Sequence, residues 1–394
     1  MKTRDVVICQ PVRTPIGAFN GSLKDVPATE LGAIAVRETL RRTGLDPAHL
    51  ASVVMGNVIQ AGNKMNPARQ AAIGADVPVS VPALTVNRVC GSGAQAIVSA
   101  AQDIWLGFGE AAVAGGMESM ERAPYLLENG RWGYRMGHGQ IHDSMLRDGL
   151  IDAFSGEHSG WHTEDLNKKL GITREAQDAW AARSQARFAS AQERGLFDAE
   201  VVPVEVRERK ERVLFARDEQ PRPGTTVETL AKLRPAFRPD GTITAGNAPG
   251  VNSGASAMLV AERAFAEARG IEPFARLVAF GVAAVEPGMF GLGPVPAVHM
   301  ALARAGWSLA DVERVEINEA FAAVPIAVAG ELGLAHDIVN VEGGAVAHGH
   351  PIGATGAVLT TRLLHSMRRD GLKRGVVTLC IGGGQGIALA LEVI

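Results

Sequence analysis

The sequence has few of the features that mark disulfide-rich, membrane-spanning or nucleic-acid-binding proteins. It contains three cysteines in 394 residues, and they lie at scattered positions. We therefore expect no disulfide framework, and we expect the protein to reside in a reducing compartment. No apolar run approaches the roughly 18 residues that a membrane-spanning helix needs. The formal net charge is only -3, which gives no electrostatic reason to expect a nucleic-acid partner. The amino terminus lacks the apolar core of a signal peptide, so we expect a cytoplasmic protein that does not enter a membrane.

The length and composition of the chain are typical of a globular protein with two or three packed units. Hydrophobic residues make up 46% of the chain and charged residues 21%. Short apolar runs such as DVVICQ alternate with amphipathic segments such as ATELGAIAVRETLRRTG, a predicted helix with Thr29 as N-cap and Gly44 as its stop. This alternation predicts an α/β fold in which helices cover a mostly parallel sheet.

The second half of the chain repeats the order of the first. TLRRTGLDPAHLASVVMGNV aligns without a gap with ALARAGWSLADVERVEINEA, so that Gly44 matches Gly306 and Val53 matches Val315. The same offset of about 260 residues sets VCGSGAQA against PIGATGAV. We therefore predict an internal duplication of one α/β unit, with residues 1–120 and 250–270 as the first half and residues 271–394 as the second.

The region between the halves, residues 121–249, has a different composition. It is richer in Arg, Glu, Gln and His. VVPVEVRERKERVLFARDEQPRPG predicts a hairpin, and REAQDAWAARSQARFASAQERG predicts a long helix. We interpret this region as an insertion that lies over the two sheet-containing halves.

Cys90 lies between a predicted strand and a helix that two glycines open. The unpaired backbone N–H groups and the dipole at such a helix start favour negative charge. We therefore expect a lowered thiol pKa and a nucleophilic role for Cys90. The alternative is a small buried side chain, which is the more common role of a single cysteine.

Three further residues lie at comparable turns. His350 occupies the duplicate's counterpart of the Cys90 turn, so the symmetry predicts that it approaches Cys90 and acts as a general base. Cys380 ends a predicted strand, and the glycine-rich stretch after it could bind an oxyanion through its N–H groups. Asn318 ends another strand, where it could hold a water or an acyl oxygen or cap a helix.

Seven motifs of this chain resemble those of the thiolase family over nearly its whole length: NRVCGSG, GGMESM, KLRPAF, TAGNAPGVNSGA, NEAF, GHPIGATGA and CIGGGQG. The resemblance implies a duplicated five-layer α-β-α-β-α fold with an inserted loop domain. It also implies ping-pong acyl transfer between coenzyme A thioesters. Cys90 would carry the acyl group, His350 would accept its proton, and Cys380 would remove the α-proton of a second thioester. His350 and a water on Asn318 would stabilise the enolate, and the amides of Cys90 and Gly382 would bind the oxyanion of the tetrahedral intermediate.

The resemblance also implies the contacts to substrate. The expected coenzyme A contacts are His158, Arg222, Thr229, Ala248, Pro249 and Phe321, with Ser159 and Phe290 in the acyl pocket. The chain departs from the family pattern at four of its positions: Pro249 replaces a common serine, Ser159 and Phe290 replace frequent methionines, and His348 replaces a small or aliphatic residue. Coenzyme A is a substrate, no metal or bound cofactor is expected, and a homotetramer is implied.

Several alternatives remain open. His138 with His142, His158 with His162, and the H-x-H of residues 348–350 have spacings found among metal ligands. A ketoacyl synthase shares the duplication and the nucleophilic cysteine but lacks a second cysteine before GGG, so Cys380 argues against it. A non-catalytic module that binds coenzyme A or lipid is the third class. Among thiolases, we favour a short-chain acetoacetyl-CoA enzyme over a broad 3-ketoacyl-CoA thiolase of fatty-acid or related degradation.

Overall fold

The computed structural model describes residues 4–208 and 211–394. The first half begins with eight elements: β1 (Val6–Arg13), β2 (Gly17–Ala18), α1 (Ala28–Thr43), β3 (Ser52–Gly56), α2 (Pro67–Gly74), β4 (Ala83–Val86), α3 (Ser92–Trp105) and β5 (Ala111–Ser119). The inserted region contains β6 (Tyr125–Leu126), β7 (His142–Asp143), α4 (Ser159–Leu170), α5 (Arg174–Glu193), β8 (Val204–Glu208), β9 (Glu211–Phe215) and α6 (Val227–Leu230).

The remaining elements complete the first half and form the second. They are β10 (Asn252–Glu262), α7 (Arg263–Ala268), β11 (Ala275–Ala284), α8 (Pro294–Ala305), β12 (Arg314–Ile317), α9 (Ala323–Leu332), α10 (Ala345–His348), α11 (Thr355–Asp370), β13 (Arg374–Ile381) and β14 (Gln385–Val393). Short 3-10 turns connect several of them. None of the described helices is long and apolar enough to cross a membrane.

The strands of both halves form one continuous sheet in the order β12-β13-β14-β11-β1-β10-β5-β3-β4, with β2 beside β10. The halves meet where β1 pairs with β11 through Val7–Arg276 and Ile8–Ala275. Among the named strands of the described residues, β3 pairs in parallel with β4 and β5, and β12 pairs in parallel with β13, whereas the other pairs are antiparallel. The expectation of a mostly parallel sheet is therefore wrong for the inner strands. Helices connect the parallel strands, whereas a short turn such as that between β13 and β14 forces antiparallel pairing.

The helices divide the molecule into five layers, as the resemblance implies. Helices α1 and α2 cover the outer face of the first half, and α8 and α9 cover that of the second. Helices α3 and α11 form the middle layer, where Ile97 and Leu363 pack in one apolar core with strands of both halves. Burial of each such side chain contributes about 1.5–3 kcal/mol, so this shared core holds the two halves together.

The duplication is visible in equivalent details of the two halves. Helices α1 and α8 both end at a left-handed glycine, Gly44 with φ 63° and Gly306 with φ 70°. Equivalent 3-10 turns follow at Pro47–His49 and Leu309–Asp311. The predicted stop at Gly44 is confirmed. The predicted N-cap at Thr29 is wrong, because α1 begins at Ala28 after Pro27, whose extended backbone starts the helix.

Among its described residues, the insertion adds no strand to the large sheet, and only a single isolated β-bridge, between Val201 and Arg13, pairs it with β1. The predicted long helix is confirmed as α5, and the predicted hairpin as β8 and β9, although residues 209–210 at its tip lie outside the described residues. Buried Arg13 on β1 anchors the insertion, with its guanidinium 2.7 Å from Glu200 and 2.8 Å from Asp218. The division of the chain at residues 120, 250 and 270 stays a prediction.

Candidate active site

A cavity of about 510 Å³ opens where turns of both halves meet the insertion. Cys90, His350 and Gly382 lie on its wall. Six residues of the predicted coenzyme A site and acyl pocket line it as well: His158, Ser159, Ala248, Pro249, Phe290 and Phe321. Three of the predicted catalytic residues and six of the predicted pocket residues are thus brought together around one space from positions up to about 300 residues apart in sequence.

The turn that carries Cys90 is held by local hydrogen bonds. The Arg88 N–H donates to Ser92 Oγ over 2.8 Å, and Val89 adopts a left-handed φ of 43°, a strained conformation for a β-branched residue. Burial raises the pKa of Cys90 to about 11, although the amides of Gly382 and Cys90 donate to the sulfur and oppose this rise. The expected lowering of this pKa is therefore wrong, because desolvation outweighs the helix start. The thiol is protonated at neutral pH and needs a base to become a nucleophile.

His350 is a neutral base whose tautomer follows from its hydrogen bonds. The Thr355 hydroxyl donates to the Pro351 carbonyl over 2.9 Å, so its oxygen accepts the Nδ1–H of His350 over 2.6 Å. Nε2 is then left with its lone pair, 3.4 Å from the Asn318 amide nitrogen. Burial lowers the pKa of His350 to about 4. The side chain is thus uncharged at neutral pH and can accept a proton at Nε2.

Asn318 and Cys380 lie behind this wall on neighbouring parallel strands. The Asn318 N–H donates to the Thr378 carbonyl over 3.0 Å, which places Asn318 beside the end of β13, where Cys380 lies. Asn318 does not cap a helix, since α9 begins at Ala323. Cys380 is fully buried, and desolvation together with the charge of Cys90 raises its pKa well above the usual value. The Cys90 turn lies against the end of β13, because a Cβ on Gly91 would lie 2.6 Å from Cδ1 of Ile381, the residue after Cys380.

The glycine-rich turn after Cys380 reverses the chain into β14. Gly384 has a left-handed φ of 82°, and a Cβ on it would lie 2.4 Å from the Val285 carbonyl oxygen. A side chain at this position is excluded on both grounds. The turn leaves the Gly382 N–H directed at the Cys90 sulfur, where it can stabilise negative charge on a bound acyl group.

The insertion supplies an aromatic wall of the cavity. His158 stacks on Phe237 with ring centroids 4.6 Å apart, and Phe237 meets Phe321 edge-on at 5.9 Å. His158 Nδ1 accepts the Gly160 N–H over 3.0 Å, so the neutral ring carries its proton on Nε2. Burial lowers the pKa of His158 and favours this neutral form.

Arg222 and Thr229 lie outside the cavity lining. The Arg222 N–H donates to the Gln185 side chain over 2.9 Å, and Thr229 forms a capping box with Thr226 at the start of α6. The structure therefore does not bring these two residues to the reacting end. Their contact with the nucleotide of coenzyme A stays a prediction.

The histidines with metal-like spacing have other surroundings. Within residues 4–208 and 211–394, no three His, Cys, Asp or Glu side chains stand close enough to hold a metal ion. His162 Nε2 lies 2.7 Å from Ser155 Oγ. His348 is fully buried beside Phe188, with ring centroids 5.9 Å apart, and neither ring nitrogen has a hydrogen-bond partner among the described residues.

Sequence reasoning missed the residues that hold His350. Thr355 fixes the ring, and Asn252 accepts the His350 backbone N–H over 2.9 Å. Both lie within motifs already singled out, GHPIGATGA and TAGNAPGVNSGA. A polar residue five positions after His350 was the available signal for Thr355, whereas Asn252 comes from β10 and reaches His350 only through the fold.

We expect His350 to make the fold sensitive to acid. Its pKa is about 4 when folded and about 6.5 when unfolded, so the unfolded chain binds the proton first and stability falls as pH drops below 6.5. This effect is about 2 kcal/mol at pH 5. Between pH 7 and pH 5, urea unfolding should therefore show a smaller loss in the free energy of unfolding for His350→Gln than for wild type. His49→Gln, at an exposed histidine, should behave as wild type; equal losses in all three proteins would contradict the expectation.

Comparison with known proteins agrees with this geometry. Residues 6–264 match the model of the thiolase N-terminal domain, and residues 271–393 match that of the thiolase C-terminal domain. An acetyl-CoA acetyltransferase of Pseudomonas aeruginosa is 52% identical over 389 residues, 98% of this chain and 99% of that protein. The chain belongs to the thiolase family, and the resemblance noted in its motifs is confirmed.

Two solved structures show the same fold over the full chain. The acetyl-CoA acetyltransferase of Bacillus anthracis has a TM-score of 0.97 at 44% identity, with 100% of this chain and 99% of that chain covered. Human mitochondrial 3-ketoacyl-CoA thiolase has a TM-score of 0.96 at 41% identity, with 100% of both chains covered. The predicted fold class is therefore confirmed.

Proposed function

We propose that this thiolase-family acyltransferase is an acetyl-CoA C-acetyltransferase, which condenses two acetyl-CoA molecules to acetoacetyl-CoA and CoA and catalyses the reverse thiolysis. The observation that carries the proposal is the cavity wall formed by Cys90, the neutral base His350 and Gly382, with the Cys380 thiol buried two residues before Gly382 at the end of β13. The names of the relatives from Pseudomonas and Bacillus support it. A direct test is the CoA-dependent loss of acetoacetyl-CoA enolate absorbance with the purified protein.

The first half-reaction is the acylation of Cys90. His350 Nε2 takes the thiol proton, and the Cys90 thiolate attacks the thioester carbonyl. The amides of Gly382 and Cys90, which point at the sulfur, stabilise the oxyanion of the tetrahedral intermediate. The intermediate collapses to acyl-Cys90, and the departing CoA thiolate receives the proton from His350.

The second half-reaction forms the carbon–carbon bond. His350, neutral again, takes the proton of Cys380 onto Nε2, and the Cys380 thiolate removes an α-proton from a second acetyl-CoA. The enolate oxygen accepts hydrogen bonds from the Nε2–H of His350 and from a water on Asn318, whose buried Oδ1 accepts no hydrogen bond from the described residues and is available to hold that water. The carbanion attacks the carbonyl of acetyl-Cys90, the Cys90 thiolate leaves and takes the proton back from His350, and acetoacetyl-CoA is released while Cys380 keeps the α-proton as a thiol.

The thioester supplies the activation, so we propose that the reaction needs no metal or bound cofactor and that CoA is a substrate. The proton on His158 Nε2 is available to the pantetheine arm. Pro249, which also lines the cavity, has no N–H and no hydroxyl, so its side chain and backbone nitrogen offer the pantetheine arm no donor. Arg222 and Thr229 contact the nucleotide in this proposal.

A broad 3-ketoacyl-CoA thiolase is the second candidate. A specific observation favours it: Ser159, the short first residue of α4, lines the cavity where a longer side chain would fill space. The name of the human structural neighbour is consistent with this alternative. Buried Phe290 on the same cavity wall acts in the opposite sense, because its ring occupies room that a long acyl chain would need.

We expect Phe290 to limit the acyl chain. Replacing it by alanine opens the cavity, so kcat/KM for an eight-carbon 3-ketoacyl-CoA should rise about tenfold relative to the four-carbon ester. Thiolysis rates for four-, six-, eight- and twelve-carbon esters measure this. Phe215→Ala on β9, outside the cavity, should leave the ratio unchanged. Comparable wild-type rates up to twelve carbons would instead support the broad thiolase.

We also propose a homotetramer located in the cytoplasm. Strand β4 is an edge strand with half-exposed Leu84, and the connection between β6 and β7 exposes Trp132 (81%) and Met136 (97%). Such unpaired edges and apolar side chains are typical of association surfaces. All three cysteines are free thiols, which a reducing compartment favours. Sedimentation equilibrium tests the assembly.

A further inference from the structure

A buried carboxylate near the end of β5 joins turns of both halves. Glu118 accepts hydrogen bonds from the Asn57 side-chain amide at 2.7 Å and from the backbone N–H groups of Val58 at 3.0 Å and Ile59 at 3.3 Å. It also accepts the Gly353 N–H at 2.9 Å. The first three donors follow β3 of the first half, whereas Gly353 lies three residues after His350 in the second half.

The segments joined by Glu118 are in close packing contact. A Cβ on Gly353 would lie 2.8 Å from Glu118 Oε2 and 2.9 Å from Asn57 Cα. A Cβ on Gly56 would lie 2.6 Å from the Ser92 carbonyl carbon, in the first turn of the helix after Cys90, and 2.7 Å from the Gly353 oxygen. The end of β3, the Cys90 turn and the His350 turn therefore have no free space between them. A shift of one of these segments must displace the others.

The bonds to Glu118 also fix an apolar cluster beside Cys90. Val58, Ile59 and Ile352 pack in one apolar cluster, and the side chain of Cys90 packs against it. Two of these residues donate to Glu118 directly, and Ile352 precedes its donor Gly353. The carboxylate thus holds both the surroundings of the nucleophile and the turn that carries the base.

We propose that Glu118 is a positioning residue for acyl transfer, which fixes the His350 turn against Cys90 through its bonds to Gly353 and to residues 57–59. The role in acyl transfer rests on the proposed function. A carboxylate suits it because it offers two oxygens that accept all four bonds and has no donor of its own. Glutamine has the same shape, but its amide group would face at least one backbone N–H with a competing donor.

The test is the rate at which iodoacetamide alkylates Cys90 at pH 8 in the full-length protein, with the modified residue identified by mass spectrometry. Burial dominates the raised pKa of Cys90, and the charge of Glu118 raises it further. Loss of that charge alone would therefore speed alkylation. We expect Glu118→Gln to slow it at least tenfold, a change that only displacement of the base or the amides can cause.

The matched control is Glu219→Gln. Glu219 also accepts backbone N–H groups, those of Ala18 and Ser22 at 3.0 Å, but it lies outside the cavity lining. The Glu219→Gln protein should be less stable than wild type, but its Cys90 should be alkylated no more slowly. Asn57→Ala removes one of the four donors and should slow alkylation about threefold even if Glu118→Gln fails to fold. A rate within twofold of wild type in folded Glu118→Gln, or an unchanged rate in Asn57→Ala, overturns the proposal.

Steady-state thiolysis supplies a second readout. In Glu118→Gln, kcat should fall at least tenfold while KM for CoA changes less than threefold, because the hydrogen-bond partners of Glu118 among the described residues include none of the proposed CoA-binding residues. A rise in KM with unchanged kcat would contradict a positioning role. If wild type shows no thiolysis, the proposed function fails, and the alkylation rates still decide whether Glu118 positions the two turns.

Discussion

Replacement of Cys90 by serine is expected to lower the turnover of acetoacetyl-CoA thiolysis by at least about 10³-fold. Serine keeps the size of the side chain, so the turn and its bonds to Ser92 remain. The hydroxyl is a far weaker acid than the thiol, and His350, with a pKa of about 4, is too weak a base to ionise it. Enolate absorbance of acetoacetyl-CoA gives the rate, and mass spectrometry of the intact protein should detect no acetyl adduct after incubation with acetyl-CoA.

The control for this substitution is Cys9→Ala. Cys9 is buried within β1, and burial, followed by the charge of Glu272, raises its pKa to about 12, so it belongs to the core rather than the site. Turnover should stay near the wild-type value, with some loss of stability. A Cys90→Ser protein that retains more than a few per cent of activity would falsify the assignment of the nucleophile.

Replacement of Cys380 by serine is expected to separate the two half-reactions. Condensation of acetyl-CoA should fall at least about 10³-fold, because a serine hydroxyl cannot remove the α-proton of a thioester. Acetylation of Cys90 should continue within about tenfold of the wild-type rate, since His350 and the amides at the sulfur remain in place. Cys380 is wholly buried, so the isosteric change leaves its packing almost unaltered.

The measurement pairs two assays on the same protein sample. Rapid quench with labelled acetyl-CoA reports the acetyl-enzyme, and acetoacetyl-CoA absorbance reports condensation. Cys90→Ser is the reference variant, because it should lose both reactions. Undiminished condensation in Cys380→Ser, or equal loss of both steps, would remove the proposed role of this cysteine.

The duplication and the approach of the Cys90 and His350 turns to one cavity could be predicted because their signals are local in sequence. Gly44 and Gly306 end equivalent helices, and the turns at Cys90 and His350 each precede a helix, α3 and α11. The equivalence of two such turns places His350 near Cys90 without knowledge of any distance. The order of the inner strands could not be predicted, because β1 pairs with β10 and β11, which both lie far from it in the chain.

The electrostatics of the site could not be predicted for a related reason. The sequence shows the helix start beside Cys90, which favours a thiolate. It does not show how deeply Cys90 is buried, and this burial raises the pKa of the thiol to about 11. Glu118 was likewise unremarkable within GGMESM. Its importance depends on donors from residues 57–59 and 353, which only the folded chain brings to one carboxylate.

The middle layer has a consequence for how this architecture arose. Helices α3 and α11 are equivalent under the duplication, and each buries its apolar surface against the other and against both sheets. A single ancestral unit would have left this helix uncovered in water, so it would have needed a second copy of itself to fold. The present chain is in this sense a homodimer fused end to end. Fusion freed the two copies to diverge, so that one now carries Cys90 and the other His350 on the wall of the same cavity.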